Sequence, residues 1–587
     1  MQNKTGKAFD TKLFMRLLKY TLPYKKTFAF VVAAAIALSG LGIASPYLLQ
    51  LVIDDAITAT DLTLLVQLIG LMLAALLLEV GFQLGFIYYA NWLGQQVILD
   101  MRVRLFQHMI NFQKKYFDTS SVGRLVTRAV SDIETIASIF SQGLFMIISD
   151  LLKMAVILVF MFVSNLELSV LILLVFPLII FATRLFQRKM KAAFEIVRTE
   201  VANLNSFVQE RISGMKIVQL FHREKEESRR FKEINKSHQD GWIKTVWYNS
   251  IYFAFVEMLT SVTSGLIIYY GGIRILGEAP FSLGEIVMFI KLAELLFRPL
   301  RQIADKFNSL QMGMVAANRV FGIFDTVSSI DDQGKLEAKD LKGEIIFDNV
   351  TFGYSKEEMV IKGVDLHVQP GETIAIVGAT GAGKSTVINL LSRFYEINGG
   401  QILIDGVNLR EYQLASLRQE IAVVLQDVFL FADSIYNNIS LFNPAISKAE
   451  IEAAAKAIGV HEFISTLPNA YEYNVKERGS MLSSGQRQLI AFLRAYVSKP
   501  SILILDEATS SIDTYSEMLI QHATEKITEG RTSIIIAHRL ATIKNADRIV
   551  VMDDGKIVEV GNHQSLLAKD SGYYKNLYNA QFEMAER

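Results

Sequence analysis

Residues 28–53 contain no charged side chain, a run longer than the roughly 20 apolar positions that carry a helix across a bilayer. Five further apolar runs follow: residues 62–93 around Glu79, 140–163 around Asp150 and Lys153, 168–183, 250–273 around Glu257, and 281–297 around Glu285, Lys291 and Glu294. The pattern predicts six membrane-crossing helices, the sixth weakest in hydropathy, with Pro177 placed to kink the fourth. Between them, residues 94–139 and 186–248 keep apolar positions at three- and four-residue spacing among many Lys, Arg and Glu, the signature of helices continuing into water. Each stretch has a short break, at 118–123 and near Ser213-Gly214. A helix, a tight break and a returning helix can push on a partner domain; the alternative is an inert solvated hairpin.

Near residue 325 the pattern changes. A polar linker holding Asp331, Asp332, Gln333, Gly334 and Lys335 precedes short Val/Ile/Leu-rich runs at 374–377, 422–425, 502–505 and 533–537, separated by helical stretches. That alternation predicts a largely parallel sheet with helices on its faces. The expected organisation is an arm over 1–27, a transmembrane region over 28–322, a linker over 323–342 and a soluble α/β domain over 343–587. Within the arm, Leu13, Phe14, Leu17, Leu18 and Leu22 against Arg16 and Lys19 suggest an amphipathic helix at the membrane interface, the alternative being a solvated basic tail.

Charge and composition add orientation and exclusions. Lys4, Lys7, Lys12, Arg16, Lys19, Lys25 and Lys26 precede the first span, and Asp54, Asp55 and Asp61 follow it, so the N-terminus is expected in the cytoplasm. Six crossings return the chain to that side, where ATP is available. A formal net charge of zero implies no polyanionic partner, and no basic patch with interleaved aromatics suggests nucleic acid. The first apolar run is too long for a cleavable leader. The absence of cysteine excludes disulfides, thiolate metal sites and a cysteine nucleophile.

The most specific chemistry lies at Gly378, Ala379, Thr380, Gly381, Ala382, Gly383, Lys384, Ser385 and Thr386, between an apolar strand-like run and a helix-like segment. Such a loop turns backbone N–H groups inward around phosphate, its lysine reaches the outer phosphates, and its serine hydroxyl can hold magnesium. An ordinary Gly-rich turn is the competing reading, which the flanking strand and helix disfavour. The run 502–505 ends in two carboxylates: Asp506 is placed to hold the magnesium shell, and Glu507 to orient or deprotonate a water.

These residues and the ones around them resemble the half-transporter exporters of the ATP-binding cassette family. Leu482-Ser483-Ser484-Gly485-Gln486 resembles the family signature, Gln426 the Q-loop glutamine, His538 in Ala-His-Arg-Leu the switch histidine, and Tyr354 the aromatic that stacks on adenine. Ser510-Ser511-Ile512-Asp513 resembles the D-loop, and Glu477-Arg478-Gly479 an exporter-specific loop. Tyr116-Phe117-Asp118 through Val122-Gly123, and Gln209 through Gly214, resemble the two coupling regions of multidrug and lipid exporters. The resemblance implies a membrane all-α domain of six transmembrane helices with long cytoplasmic extensions, followed by a soluble α/β P-loop NTPase domain. It implies ATP and Mg2+, with Ser385, Gln426 and Asp506 around the metal, and Lys384, Gln426, Glu507 and His538 in hydrolysis. It also implies a dimer, since Ser483, Ser484, Gly485, Gln486 and Asp513 of one chain serve ATP held by another. With Gln426, Glu507 and His538 all present, a homodimer is favoured over an asymmetric pair. Two departures stand out. Ser484 replaces a glycine, where its side chain could crowd phosphate or disfavour a positive φ, and Ser511-Ile512 replaces the commoner Ala-Leu.

The expected activity is ATP-driven export or flipping of amphipathic molecules, lipids or drugs, across the cytoplasmic membrane by alternating access. Glu257 and Glu294, acids within predicted spans, are candidate cargo contacts. Spacing also allows Asp150 to be neutralised by Lys153 and Glu294 by Arg298, on one helix face each. Peptide export is the alternative within transport, although no cysteine is present to serve a peptidase domain; an ATP-gated regulator without cargo is the alternative outside it.

Overall fold

The computed structural model describes residues 10–581 apart from 278–280, 329, 331, 356, 507–513 and 538. The chain forms two compact units, residues 1–110 with 120–327, and residues 111–119 with 328–587.

The first unit is built on six long helices: α1 (Lys25–Leu51), α2 (Leu62–Ile110), α3 (Phe145–Ser164), α4 (Leu166–Ser213), α5 (Glu224–Leu276) and α6 (Leu283–Phe324). Backbone N–H and C=O groups have no partner in hydrocarbon, so only chain that satisfies them internally can cross. The same ladders then run on past the apolar runs. α5 spans 53 residues, about 80 Å at 1.5 Å per residue, against a hydrocarbon layer of about 30 Å. The predicted polar extensions are therefore continuations of the spans. The break at Gly214 before Met215–Leu220 falls as expected; the expected break at 118–123 narrows to 120–121, and a further one at 111–113, ahead of a short helix at Lys114–Thr119, was not expected. Pro177 lies inside α4 without ending it. At the start of the chain, Asp10 caps a helix at Thr11–Leu18 by accepting from the N–H groups of Lys12 and Leu13, and Leu17 on its inner face is fully buried.

Among the described residues, the helical segments long and apolar enough to cross a membrane contain α1 to α5. α6 carries Glu285, Lys291, Glu294 and Arg298 in its first half, which accounts for its weak hydropathy. Its apolar face explains why it is tolerated: Phe289, Leu292, Ala293, Leu296 and Phe297 are wholly buried against Ile157, Ile172, Ile179 and Ile267. Glu285 is itself buried and accepts from Asn165 Nδ2 at 3.0 Å. Near the same end of the unit, Asp54 accepts from Ser282 Oγ at 2.5 Å and from the Gly284 N–H at 2.8 Å. A Cβ on Gly284 would lie 2.6 Å from the Gln50 carbonyl oxygen, so only glycine lets α6 start this close to α1.

Glu79, Asp150 and Glu294, acids inside the spans, each have a basic partner, and for Asp150 and Glu294 it is not the one that sequence spacing suggests. Asp150 pairs with Lys306 of α6 at 2.5 Å, not with Lys153, whose ammonium lies 3.9 Å from Glu79. Glu294 pairs with Lys291 at 3.1 Å, not with Arg298. Three- and four-residue spacing permits a pair on one helix, as Lys291 and Glu294 make, but for Asp150 helix packing brings a cation from another helix instead.

The second unit contains two sheets. The four strand-like runs appear as β3 (Thr373–Gly378), β6 (Ile421–Val424), β7 (Ile502–Asp506) and β8 (Thr532–Ile536). With β9 (Arg548–Asp553) they form a parallel array, closed on one edge by antiparallel β10 (Lys556–Gly561), in the order β10-β9-β3-β8-β7-β6. The sequence reading did not include a second, antiparallel sheet of β1 (Ile345–Phe352), β2 (Ile361–Val368), β4 (Gly399–Ile404) and β5 (Val407–Asn408), ordered β2-β1-β4-β5. The short segment 111–119 groups with this unit through packing that helical periodicity could not reveal.

Asp150→Asn should lower thermal stability of the detergent-purified chain, because it leaves the Lys306 ammonium without its counter-charge, a loss of about 3 kcal/mol for a well-buried pair and less where water enters. Adding Lys306→Met should recover most of that loss in a thermal unfolding series. If the double variant is no more stable than Asp150→Asn, the pair is not coupled.

Candidate nucleotide site and its coupling segment

In a parallel array the carboxyl ends of the strands share one edge, and an open α/β sheet binds ligands there. β3 ends at Gly378, β7 at Asp506, and Gln426 stands exposed two residues beyond β6. Three of the candidates therefore reach one edge because their strands pair in register, Ile376 beside Ile536 and Asp506 beside Ile536.

Between β3 and helix α7 (Lys384–Leu391) the chain makes the predicted loop. Gly381 and Gly383 have φ of +87° and +100°, values that a side chain would strain, and a Cβ on Gly383 would approach Ile361 Cδ1 to 2.9 Å. This backbone turns the loop toward the start of α7, where orphan N–H groups and the helix dipole favour an anion. Lys384 is buried and donates from Nζ to the carbonyl oxygens of Gly378 at 2.8 Å and Ala379 at 3.0 Å. Burial pushes its ammonium below the ordinary lysine pKa, an effect the Asp506 carboxylate partly opposes. The lysine is thus folded across its own loop, its desolvated ammonium donating to two weak carbonyl acceptors. Phosphate oxygens would be better partners. Ser385 is exposed, and Thr386 is buried with its hydroxyl 3.2 Å from that of Tyr354. A hard cation takes oxygen ligands, and Ser385, Asp506 and Gln426 supply a hydroxyl, a carboxylate and an amide carbonyl at this edge, a donor set that fits magnesium.

Tyr354, about 40% exposed, stands edge-on to Phe352 and Tyr395, each ring centroid 5.0 Å away. Its open face can stack on a base. Tyr395 is 8% exposed, and its hydroxyl donates to Asp118 Oδ2 of the short helix Lys114–Thr119. Burial, and then that bond, push the Tyr395 phenol well above its ordinary pKa. Lys114 Nζ adds a bond of 3.1 Å to Asn389 Oδ1 and lies 5.6 Å from the centre of the Phe394 ring. Residues 111–119 are held to this unit by a base-stacking candidate's own neighbours. Sequence reasoning named Tyr354 and Asp118 but not Tyr395, Lys114 or Asn389, whose contacts span more than 270 positions and leave no local pattern.

The signature residues begin a separate helix, α8 (Ser484–Val497). Ser483 is its N-cap: Ser483 Oγ accepts from the Gln486 N–H at 3.2 Å, and Gln486 Oε1 accepts from the Ser483 N–H at 3.0 Å. The hydroxyl proton of Ser483 is left free to be donated outward from the positive end of the helix. Ser484 is the first helical residue and is exposed, and it is absent from the positive-φ positions of the chain. The expected backbone conflict at Ser484 does not arise. Gly485 is buried. Before the helix, Lys476, Arg478 and Gly479 take φ of +59°, +54° and +68°, which makes Glu477-Arg478-Gly479 a tight, shaped loop. Glu507, His538, Asp513 and the rest of the D-loop lie outside the described residues.

The geometry defines a P-loop ATPase unit joined in one chain to a membrane-spanning helical unit. Residues 28–300 match the ABC transporter transmembrane region family and residues 361–510 the ABC transporter family. The chain is 36% identical over 582 residues to the uncharacterized ABC transporter ATP-binding protein YknV of Bacillus subtilis strain 168, covering 99% of this chain and 96% of that protein. It is 34% identical over 572 residues to an ATP-dependent lipid A-core flippase of Syntrophus aciditrophicus strain SB, covering 97% of this chain and 95% of that one. The solved structure of a bacterial Atm1-family ABC exporter with ATP bound superposes with a TM-score of 0.75 at 27% identity, over 94% of this chain and 98% of that chain. The chain belongs to the ABC transporter family, as an ATP-hydrolysing exporter of half-transporter organisation.

Tyr395→Phe removes the bond to Asp118 but keeps the three packed rings. It should leave ATP affinity within about twofold and lower thermal stability by roughly 1.5–3 kcal/mol, the worth of a hydrogen bond to a charged group. Equilibrium nucleotide titration with thermal unfolding checks both. Ser484→Gly should leave steady-state ATP hydrolysis within about threefold of the parent, because the backbone there needs no glycine, and should weaken the helix start by about 0.5 kcal/mol. A tenfold faster variant would mean that the serine side chain obstructs phosphate.

Proposed function

We propose that two copies of this chain form an exporter that uses ATP to move amphipathic molecules, lipids or drugs, across the cytoplasmic membrane. The observation that carries the reading is the free hydroxyl of Ser483. It caps an exposed helix N-terminus, and among the described residues its hydrogen bonds stay within its own turn. A donor end of that kind is suited to a phosphate, and in an exporter dimer the phosphate belongs to ATP on the partner's loop. The second break supports the same reading. Ile212, Ile217, Leu220 and Phe221 cluster around Gly214 with 59–69% exposure, an apolar knob that favours a protein surface over water.

In this assignment Tyr354 stacks on adenine, while the 378–386 backbone and Lys384 hold the phosphates. Ser385, Asp506 and Gln426 surround Mg2+, which would supply charge neutralisation between the outer phosphates. Ser483, Ser484, Gly485, Gln486 and Asp513 face the partner's nucleotide, Glu507 orients the attacking water, and His538 approaches the γ-phosphate. ATP binding then closes the two cassettes and biases a bistable membrane region, and hydrolysis resets it. The charge asymmetry around the first span supports a cytoplasmic N-terminus and ATPase unit. Lipid or drug cargo is supported by the flippase relative and by the exposed acids Glu257 and Glu294 on spanning helices.

Reconstituting the purified chain alone in liposomes tests this. ATP-dependent movement of a fluorescent phospholipid or of a cationic dye is expected, and Glu507→Gln should reduce it at least about a hundredfold, as loss of a water-positioning base would. ATP hydrolysis without movement of either would remove amphipathic cargo; no hydrolysis at all would remove the homodimer.

A further inference from the structure

A cleft in the first unit lies on other residues than those assigned to the nucleotide. It has a volume of about 710 Å³ and opens between the Thr11–Leu18 helix with its following turn and the polar extension of α2. Lys12, Arg16, Lys19 and Arg104 line it, against Asp100 alone among carboxylates. Arg16 is held by Asp325 at 2.7 Å and lies 4.1 Å from the centre of the Phe321 ring, so it is fixed in place and locally neutralised. Arg104 lies 5.6 Å from the centre of the Tyr20 ring. Lys12 and Lys19 are exposed and have no carboxylate within ion-pair distance among the described residues. Asp100 is already engaged, accepting from the Tyr24 hydroxyl at 3.1 Å.

The cleft also lies at a definite depth. Tyr24 packs edge-on against Trp92 at 5.7 Å, an aromatic pair of the kind enriched at the boundary between headgroups and acyl chains. It sits just before the uncharged run of α1 and at the end of that of α2. Met15 and Leu22, 60% and 66% exposed, provide apolar surface beside the cations. A soluble anion would use only the charges. A phospholipid uses both, its phosphate among three unneutralised cations and its chains along Met15 and Leu22, and each cation near a membrane surface adds to its hold on an anionic lipid.

We propose that this cleft binds the headgroup phosphate of an anionic phospholipid drawn from the adjoining leaflet, and that the lipid ties the N-terminal helix to α2. Binding does not depend on the transport cargo. Only the leaflet, inner by the proposed topology, rests on the reading above.

The test is native mass spectrometry of the full-length chain in detergent with added phosphatidylglycerol or phosphatidylcholine, and with glycerol 3-phosphate as the soluble head alone. Preferential retention of one phosphatidylglycerol per chain is expected. Lys12→Ala with Lys19→Ala and Arg104→Ala should weaken it about tenfold or more, and Lys12→Arg with Lys19→Arg should preserve it. Equal retention of the two lipids, or retention unchanged in the neutralised variant, overturns the proposal. So does displacement by glycerol 3-phosphate at concentrations equal to the lipid, which would make this a site for free phosphate. If the neutralised variant does not fold, Lys12→Glu with Lys19→Glu takes its place, and undiminished phosphatidylglycerol retention there is equally fatal. The outcome is separable from the transport reading, since no ATP or cargo enters the experiment.

Discussion

The constraint on which the first unit depends is that a peptide group in hydrocarbon must find its hydrogen-bond partner within its own segment. Once a segment crosses as a helix, ending it costs the capping of orphan carbonyls, and continuing it costs nothing comparable. Two helix boundaries show the local device that makes them. At Gly214 the chain turns from α4 into Met215–Leu220, and the N–H of Gly214 closes on Glu210. At Asn165 the side chain caps α4 by accepting from the Leu168 N–H. Between such devices α2, α4 and α5 run for 48 to 53 residues. A rod of that length transmits a displacement without needing a separate lever.

In the second unit a different requirement governs: a desolvated cation must be held without being firmly paired. Lys384 meets it by donating to two carbonyls of its own loop, partners strong enough to hold the chain and weak enough to be exchanged. A carboxylate in the same position would hold the ammonium too firmly, because a buried ion pair is costly to break. Asp506, which only partly offsets the burial of Lys384, is therefore better suited to a metal than to the lysine. The ring of Tyr354 is set in the same economical way, by ring edges and by hydroxyl contacts with Thr386 and Asn389.

What could be read from the sequence divides along physical lines. Periodicity and local chemistry are written in neighbouring residues, so the spans, the break at Gly214, the loop at 378–386 and strands β3, β6, β7 and β8 were all legible, while the break at 111–113 was not. The antiparallel sheet was not: β1 and β2 mix buried and exposed positions irregularly, with shifts in register between Phe347 and Thr351. Ion-pair partners were not either, since Lys306 lies 156 positions from Asp150. The Tyr395 bond to Asp118 and the cationic cleft belong to the same class, contacts made by the fold between segments that carry no mutual signal.

Ser484 shows how such a gap misleads in the other direction. From sequence, a serine in place of glycine suggests lost backbone freedom. The helix start supplies the answer: a capping box between Ser483 and Gln486 fixes the turn, and the residue between cap and helix adopts helical angles that any side chain accepts. What glycine would change at this position is bulk beside the cap, not conformation. The glycine one step later, Gly485, is buried. The cap hydroxyl and the helix end it organises are both present in this chain.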